Sequence, residues 1–130
     1  MIPCAAELAA VIRDATSGIT VYDHIPVTPS TPSIYVGWPE YVDLTNGTLG
    51  GQVPFDLPIT FCVGLADARA AQEGMGRLIY GDVPNALERH RTDAWHSLQL
   101  VSVSNTRPDD NRLLTDLNVT LMVDFRKASS

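Results

Sequence analysis

The sequence has few of the residues from which catalytic and metal sites are built. Only three histidines and two cysteines occur in 130 residues. His90 and His96 lie six positions apart, which is not a zinc-ligand spacing, and no Cys-x-x-Cys pair occurs. The chain also lacks Gly-x-Ser-x-Gly and the phosphate-binding loop that ends in Gly-Lys-Ser/Thr. We therefore predict no catalytic residues, no metal site and no cofactor, and a protein that is not an enzyme.

Two weaker candidates for a site have simpler interpretations. Cys62 lies between Phe61 and Val63 in an apolar stretch, where a thiol is typical of inert packing rather than nucleophilic catalysis. The run Asp109-Asp110-Asn111 offers oxygen ligands, but it lacks the spacing and the twelfth-position Glu of a calcium-binding loop. We interpret it as a solvated turn.

Basic residues are scarce. Nine Lys and Arg stand against fifteen Asp and Glu, so the net charge is -6 and the pI is about 4.8. This balance argues against a general nucleic-acid binder, which needs cations for phosphates. It permits the wall of a DNA channel, which has to repel phosphate rather than hold it.

Leader-like and membrane-spanning segments are missing as well. No run of 18 apolar residues occurs, and the N-terminus has no charged segment followed by an apolar one. We expect a protein that is cytosolic when it is made and that has no membrane association. In that setting Cys4 and Cys62 are expected to be reduced, buried thiols.

What the sequence does contain is the composition of a folded domain. Its residues are 45% hydrophobic and 18% charged, as in globular proteins. A chain of 130 residues buries roughly two-thirds of its unfolded surface, so it needs no disulfide or metal to fold. We expect one domain over residues 1–130.

Periodicity predicts helices at the start and in the middle of the chain. Residues 4–16 place apolar side chains on one helical face, and a second helix is expected from a cap at Asp67 to about Tyr80. Gly81 is expected to end that helix, and a short third helix is expected through about Arg91.

Strand patterns occupy the remaining segments. Residues 55–65 alternate with a period of two, and Pro58 within them indicates an edge strand or a bulge. Further strands are predicted at 19–23, 33–38, 97–106 and 113–126, with a bulge near Leu100 and Val101 and a polar turn over 105–111. The order of elements predicts an α+β fold, with an antiparallel or mixed sheet and helices packed on one face.

Two features are the candidate contact sites. The segment 43–54 is rich in glycine and turn residues and is long enough to have a function. The candidate contact loop within it consists of Asp43, Leu44, Thr45, Asn46, Gly47, Thr48, Leu49, Gly50, Gly51 and Gln52. Both tryptophans could anchor an interface. Trp95 lies in a polar stretch and is the candidate subunit-contact aromatic, whereas Trp38 ends an apolar run, which favours the core at least equally.

The order and spacing of several short patterns resemble a known family. The carriers are Val21-Tyr22-Asp23, Val36-Gly37-Trp38-Pro39, the run from Val63 to Gln72, and Ala86-Leu87-Glu88. Together they cover about 120 residues. In this arrangement the chain resembles the tail terminator proteins of long-tailed bacteriophages (siphoviruses), of the type found in viruses of actinobacteria. Ala66-Asp67 stands where the family can have a serine-aspartate pair, a departure that keeps the capping residue.

The resemblance implies a structural protein of the virion at the junction of tail and neck. Such proteins form a hexameric ring that caps the tail tube, ends its polymerisation and joins it to the head-completion protein. The partners implied are five further copies, the major tail tube protein and the head-completion or stopper protein. DNA would pass through the lumen without specific binding.

Three alternatives stay open on the sequence alone. A head-tail connector or stopper protein of the neck shares the size and the acidity. A small cytosolic enzyme would need a cluster of perturbed titratable groups in a cleft. A binding adaptor would be a stable monomer or dimer rather than a ring.

Overall fold

The computed structural model describes residues 3–39, 41–42, 52–65 and 68–124. The helices are α1 (Pro3–Ala15), α2 (Ala68–Arg77) and α3 (Val83–Arg89), and a π-helical turn, Leu78–Asp82, joins the last two. The strands in these ranges are β1 (Thr20–Tyr22), β2 (Ser33–Val36), β3 (Tyr41–Val42), β4 (Gln52–Gly64), β5 (Ser97–Asp109) and β6 (Arg112–Asp124). No helix in the described ranges has the length and apolar character needed to cross a membrane.

The strands form one mixed sheet in the order β1-β2-β4-β6-β5, and β3 pairs with β4 beyond the end of β2. β1 and β2 run parallel, whereas the other pairs are antiparallel. The β4–β6 pair is the centre of the sheet, with an unbroken register from Gln52–Asp124 to Gly64–Arg112. The predicted α+β class with a mixed sheet is confirmed.

The helices cover one face of this sheet. Alternate residues of β4 and β6 point at the helices and are buried, as the period of two predicts. They pack against apolar residues of α1, the π turn and α3. The members of this core include Leu8, Ile12, Val36, Phe55, Leu57, Ile59, Phe61, Ile79, Val83, Leu87, Leu117, Val119, Leu121 and Val123.

The helix predicted at 4–16 is α1, within one residue at each end. Leu8 and Ile12 lie one turn apart and are fully buried, which fixes the face that packs on the sheet. Gly18 follows with a φ of +72°, a left-handed conformation that glycine adopts without steric cost. The chain can therefore reverse into β1.

Gly81 does not end a helix, contrary to the sequence prediction. The chain continues from α2 through the π turn into α3, with Asp82 in a helical conformation. The wider turn keeps Ile79 and Val83 both on the buried side, and Pro84 fits the first turn of α3, where its missing N–H is not needed. The helix ends at Arg89 because His90 is extended. The predicted cap Asp67 lies outside the described residues.

Pro58 is in the central strand, not at an edge or a bulge. Its carbonyl accepts a hydrogen bond from the N–H of Gly37, so its backbone polar groups face β2 rather than β6. β2 has ended by this point and β3 has not begun, since their registers with β4 cover 59–62 and 55–56. The missing N–H of proline therefore breaks no hydrogen bond of the β4–β6 ladder.

The β5–β6 hairpin is longer and less regular than predicted. The expected bulge is present between Leu100 and Ser102. A second register shift, between Ser104 and Arg107, extends β5 to Asp109, and the turn is therefore only at Asp110 and Asn111. Asn105 and Asp110 have positive φ values of 59° and 54°, which these two residue types tolerate better than most.

Candidate functional site

Of the predicted contact loop only Gln52 lies within the described residues. Residues 43–51 lie outside the described residues. Gln52 is the first residue of β4, opposite Asp124 of β6. Because β3 pairs antiparallel with β4, through Val42–Phe55, the loop joins two neighbouring strands at the end of the sheet where β4 begins. Its role as a contact stays a prediction.

Trp95 lies in the core of this chain. It is only 6% exposed, and its ring centroid lies 5.9 Å from that of His90. The next residue, His96, donates its N–H to the carbonyl of Met122 at 2.7 Å and so starts the β5–β6 pairing. Trp95 therefore fixes the connection from α3 to β5. A subunit-contact role for it stays a prediction, and little of its surface is free.

Trp38 lies on the surface instead, so the interpretation that places it in the core is wrong. Its side chain is 65% exposed. The apolar run continues past the strand, because β2 ends at Val36 and the chain leaves the sheet once Gly37 has bonded to Pro58. Periodicity shows that residues are apolar, but it does not show where a strand ends.

Trp38 and Ile25 line a small cleft beside the end of β2. Its volume is about 130 Å³, and Ala5, Asp23, His24, Val36 and Gly37 complete its lining. Ile25 is 52% exposed, and Val27, which follows on the same connection, is fully exposed. An exposed Trp beside exposed aliphatic side chains is typical of a protein contact site. The sequence signal for this contact site is the presence of Ile25 and Val27, two apolar residues in a Pro-rich connection.

The opposite face of the sheet carries a polar network around Asp116. The Asp116 carboxylate accepts hydrogen bonds from Thr60 Oγ1 at 2.9 Å, Asn105 Nδ2 at 3.3 Å and an Arg107 guanidinium nitrogen at 3.3 Å. Asp116 is 6% exposed, and each of its partners belongs to β4 or β5. The network holds the irregular half of β5 on the sheet. A carboxylate that accepts three hydrogen bonds is a structural group rather than a general base waiting for a substrate.

Neither cysteine is suited to nucleophilic chemistry. Burial raises the pKa of Cys4 to about 11 and also raises the pKa of Cys62 above its ordinary value. Since the thiolate is the reactive form, both remain neutral thiols near neutral pH. Both are free and buried, as the sequence predicts.

A larger groove of about 620 Å³ lies between the end of α1, the start of β1 and helix α2. Its lining is mostly apolar, with Ile19, Val63, Met75 and Leu78 among its members. Arg77 and Asp82 are the ionisable residues that line it within the described ranges. In the part of the chain that the structure describes, no three His, Cys, Asp or Glu side chains come together in a way that could hold a metal ion. Thr16 and Ser17 supply its hydroxyl groups, and no His, Cys or Glu of the described residues lines it to activate them.

The described residues therefore contain a large apolar groove, a structural polar network, and exposed apolar side chains beside β2 and on β5, at the two sides of the sheet. The last of these features is the one that fits assembly with another protein. The sequence predicts the loop and Trp95 as the candidates. The structure places Trp38 on the surface and adds Ile25 and, on β5, Val101, which is 57% exposed.

No protein-family model matches the chain, and no curated protein matches it. A solved structure of the virion of a native gene transfer agent particle contains a chain of similar fold. The TM-score is 0.51, with 24% of the residues identical, and the match covers 92% of this chain and 85% of that chain. At this identity the likeness concerns the fold, which the two chains share over nearly their whole length.

Proposed function

We propose that this chain is a structural protein of a phage-like virion, and specifically the tail terminator. The observation that carries the proposal is the match in fold to a chain of a virion particle over 92% of this chain. It supports the resemblance already seen in the sequence, where Val21-Tyr22-Asp23, Val36-Gly37-Trp38-Pro39 and the run from Val63 to Gln72 occur in the family's order.

In this proposal six copies close a ring on the end of the tail tube. The ring stops further polymerisation of the tube protein and receives the head-completion protein on its other side. DNA moves through the central channel. Six chains of -6 give a formal charge of -36, so the assembly as a whole repels phosphate and the lumen does not hold the genome back.

The chemistry of the described residues supports a structural role over an enzymatic one. Asp116 is satisfied by its partners, both thiols have raised pKa values, and the large groove is lined mainly by apolar side chains. An enzyme of this size needs a cleft in which titratable groups of perturbed pKa face each other. Glu7, whose pKa is lowered, lines a cleft together with His90, but the two are bonded to each other at 2.6 Å and join α1 to the end of α3.

A head-tail connector or stopper protein of the neck is the second candidate. It fits the same fold likeness, because the matched structure is a whole virion particle. The two candidates differ in what they touch. A terminator binds the last ring of the tail tube, whereas a stopper binds the terminator and the portal side.

Native mass spectrometry over a concentration series tests the ring. We expect a species at six times the 14.1 kDa chain mass that grows with concentration. A tight dimer that never grows would count against the ring and favour an adaptor. Electron microscopy of tail tubes mixed with the protein then separates the two virion candidates, since only a terminator caps a tube.

The contact loop gives a second test. A deletion of residues 46–51 shortens a glycine-rich segment and leaves both flanking strands intact, so we expect the chain to fold and to lose tube capping. Tubes of normal length capped by the deletion variant would show that the loop is not the tube contact.

A further inference from the structure

Two exposed apolar side chains mark opposite ends of one row across the sheet. The row runs through Gly37, Pro58, Asn118 and Ser102, joined by the Gly37–Pro58 hydrogen bond and the registers of β4, β6 and β5. Trp38 follows the first residue of this row, and Val101 precedes the last. Both residues therefore stand within one residue of the same row along the strand direction.

The β5 end of the row is a protruding, uncharged edge. Residues 97–106 contain no charged residue and no proline, although natural edge strands commonly use both to prevent association. β5 is the last strand of the sheet among the described residues. The bulge between Leu100 and Ser102 presents Val101 to solvent at 57% exposure. An edge of this kind is typical of a contact with another chain.

The β2 end of the row is concave. The 130 Å³ cleft beside Trp38 and Ile25 is mainly apolar, and its Asp23 carboxylate is paired with His24 Nδ1 at 2.8 Å. Apolar cavities of about 150 Å³ accept a benzene-sized guest, so this cleft has room for one aliphatic side chain. The neighbouring edge strand β1 is only three residues long, and its Val21 carbonyl already accepts a hydrogen bond from Arg13 at 2.9 Å.

We propose that Val101 of one copy inserts into the cleft between Ile25 and Trp38 of the next copy. This contact rests on the proposed ring and names the surfaces that build it. The two surfaces differ, so the contact is head-to-tail and leaves both ends of every copy occupied in a closed ring. A two-fold dimer through β5 alone would leave the cleft empty.

The position of the two surfaces on one row favours a ring over a filament. A rotation about an axis along the strands brings the surfaces into contact without a rise between copies, and such a rotation gives a closed ring when a whole number of copies completes the circle. Charge favours the same surfaces. Each copy carries -6, and a contact through residues 97–106, which are uncharged, avoids placing like charges directly against each other.

Cysteine cross-linking tests this contact. Val101→Cys and His24→Cys place one thiol on each surface and keep both Ile25 and Trp38, since His24 is an exposed member of the cleft lining. The native Cys4 and Cys62 are buried and do not compete. Under mild oxidation the double variant is expected to give a ladder of covalent multimers on a non-reducing gel. A mixture of the two single variants is expected to give a dimer, and Val101→Cys alone is expected to stay monomeric.

The matched control combines Val101→Cys with Tyr80→Cys, since Tyr80 is 76% exposed on the π-helical turn, away from the cleft lining. Cross-linking of the double variant at the level of this control would overturn the proposal. A covalent dimer of Val101→Cys alone would also overturn it, because it shows a two-fold contact through β5. If wild type reaches the six-fold mass while cross-linking stays at the control level, the ring stands and these surfaces are wrong. A covalent ladder without any six-fold species would support the proposed contact surfaces and contradict the proposed hexamer.

Val101→Asp gives an independent readout. It places a carboxylate in the apolar cleft of the neighbour, and we expect the concentration needed for assembly to rise roughly tenfold or more. Ser97→Asp, at the exposed start of the same strand, is the control for added charge and is expected to have a smaller effect. Equal effects of both variants would show that charge, rather than the cleft, controls assembly.

Discussion

Gly37 lies directly against Pro58. The N–H of Gly37 donates to the Pro58 carbonyl at 2.9 Å, and a Cβ atom on Gly37 would stand 2.8 Å from Pro58 Cγ and 3.2 Å from that carbonyl oxygen. Pro58 has no N–H to donate back to the Gly37 carbonyl, so the pairing of β2 with β4 goes no further along the chain. The contact also positions Trp38, the next residue, at the rim of the cleft.

Gly37→Ala is expected to destabilise the protein. The added methyl group needs a shift of the Pro58 ring or of the end of β2, and overpacking of this kind costs about 1–3 kcal/mol. Urea unfolding followed by circular dichroism measures the free energy of unfolding.

Gly74→Ala is the matched control, because nothing lies within 4 Å of a Cβ at that position of α2. Alanine is the better helix former, so we expect stabilisation by about 0.5–1 kcal/mol. Equal effects of the two substitutions would contradict the close Gly37–Pro58 contact.

Asp116→Asn is expected to weaken the hold of β5 on the sheet. Asparagine keeps the shape of the side chain but removes the charge that Arg107 meets at 3.3 Å, and hydrogen bonds to charged groups contribute about 1.5–3 kcal/mol. We expect a loss of stability of that order and faster amide hydrogen exchange in residues 103–109. Mass spectrometry of exchanged peptides locates the change.

The control for this variant is Asp109→Asn. Asp109 pairs with Arg112 at 3.2 Å at the exposed turn of the same hairpin, where an ion pair contributes about 0–1 kcal/mol. If both variants lose the same stability, the Asp116 network does not anchor β5.

Local patterns predicted most of this fold, and the misses have physical causes. The period of two in residues 55–65 and 113–126 identified the central pair of strands, because one face of each strand is buried in the core. The sequence predicts an edge or a bulge at Pro58, since it cannot show that the missing N–H faces a gap between β2 and β3. It predicts a helix end at Gly81, because a π turn has no distinct residue signature.

The candidate site was less predictable than the fold. The two tryptophans have opposite environments from those that their neighbours in sequence indicate: Trp95 lies in a polar stretch and is buried, whereas Trp38 ends an apolar run and is exposed. Tertiary structure determines the exposure of both side chains, since β2 stops before Trp38 and the α3–β5 connection places the Trp95 ring against that of His90. The sequence predicts the bulge that exposes Val101. It does not predict that Val101 aligns with Trp38, because that alignment depends on the registers of β2, β4, β6 and β5.

Substitution of each tryptophan by alanine is therefore expected to affect a different property, stability for Trp95 and assembly for Trp38. Trp95→Ala leaves a large cavity and is expected to cost about 3–5 kcal/mol of unfolding free energy. Trp38→Ala is expected to change stability by about 0.5 kcal/mol or less and to weaken assembly instead. Denaturant unfolding and native mass spectrometry of both variants separate the two roles. A Trp95 variant that keeps full stability but no longer assembles would restore the subunit-contact interpretation.

The pair Glu7–His90 joins α1 to the residue that ends α3, and its contribution depends on pH. His90 Nε2 lies 2.6 Å from Glu7 Oε1, and because a carboxylate can only accept, the ring N–H donates. Hydrogen bonds from His90 and then Thr92 lower the pKa of Glu7 below its ordinary value of 4.5. A lowered folded-state pKa stabilises the fold above pH 4.5, and this stabilisation is lost as the pH falls through the folded-state pKa.

Glu7→Gln is therefore expected to be less stable than wild type at neutral pH, and the difference is expected to shrink as the pH falls below 4.5. Thermal unfolding of both proteins across that range measures it. Glu88→Gln, on the exposed side of α3, controls for the loss of one negative charge. A difference between wild type and Glu7→Gln that stays constant at every pH would contradict the bond, because a carboxylate that is not stabilised in the fold has nothing to lose on protonation.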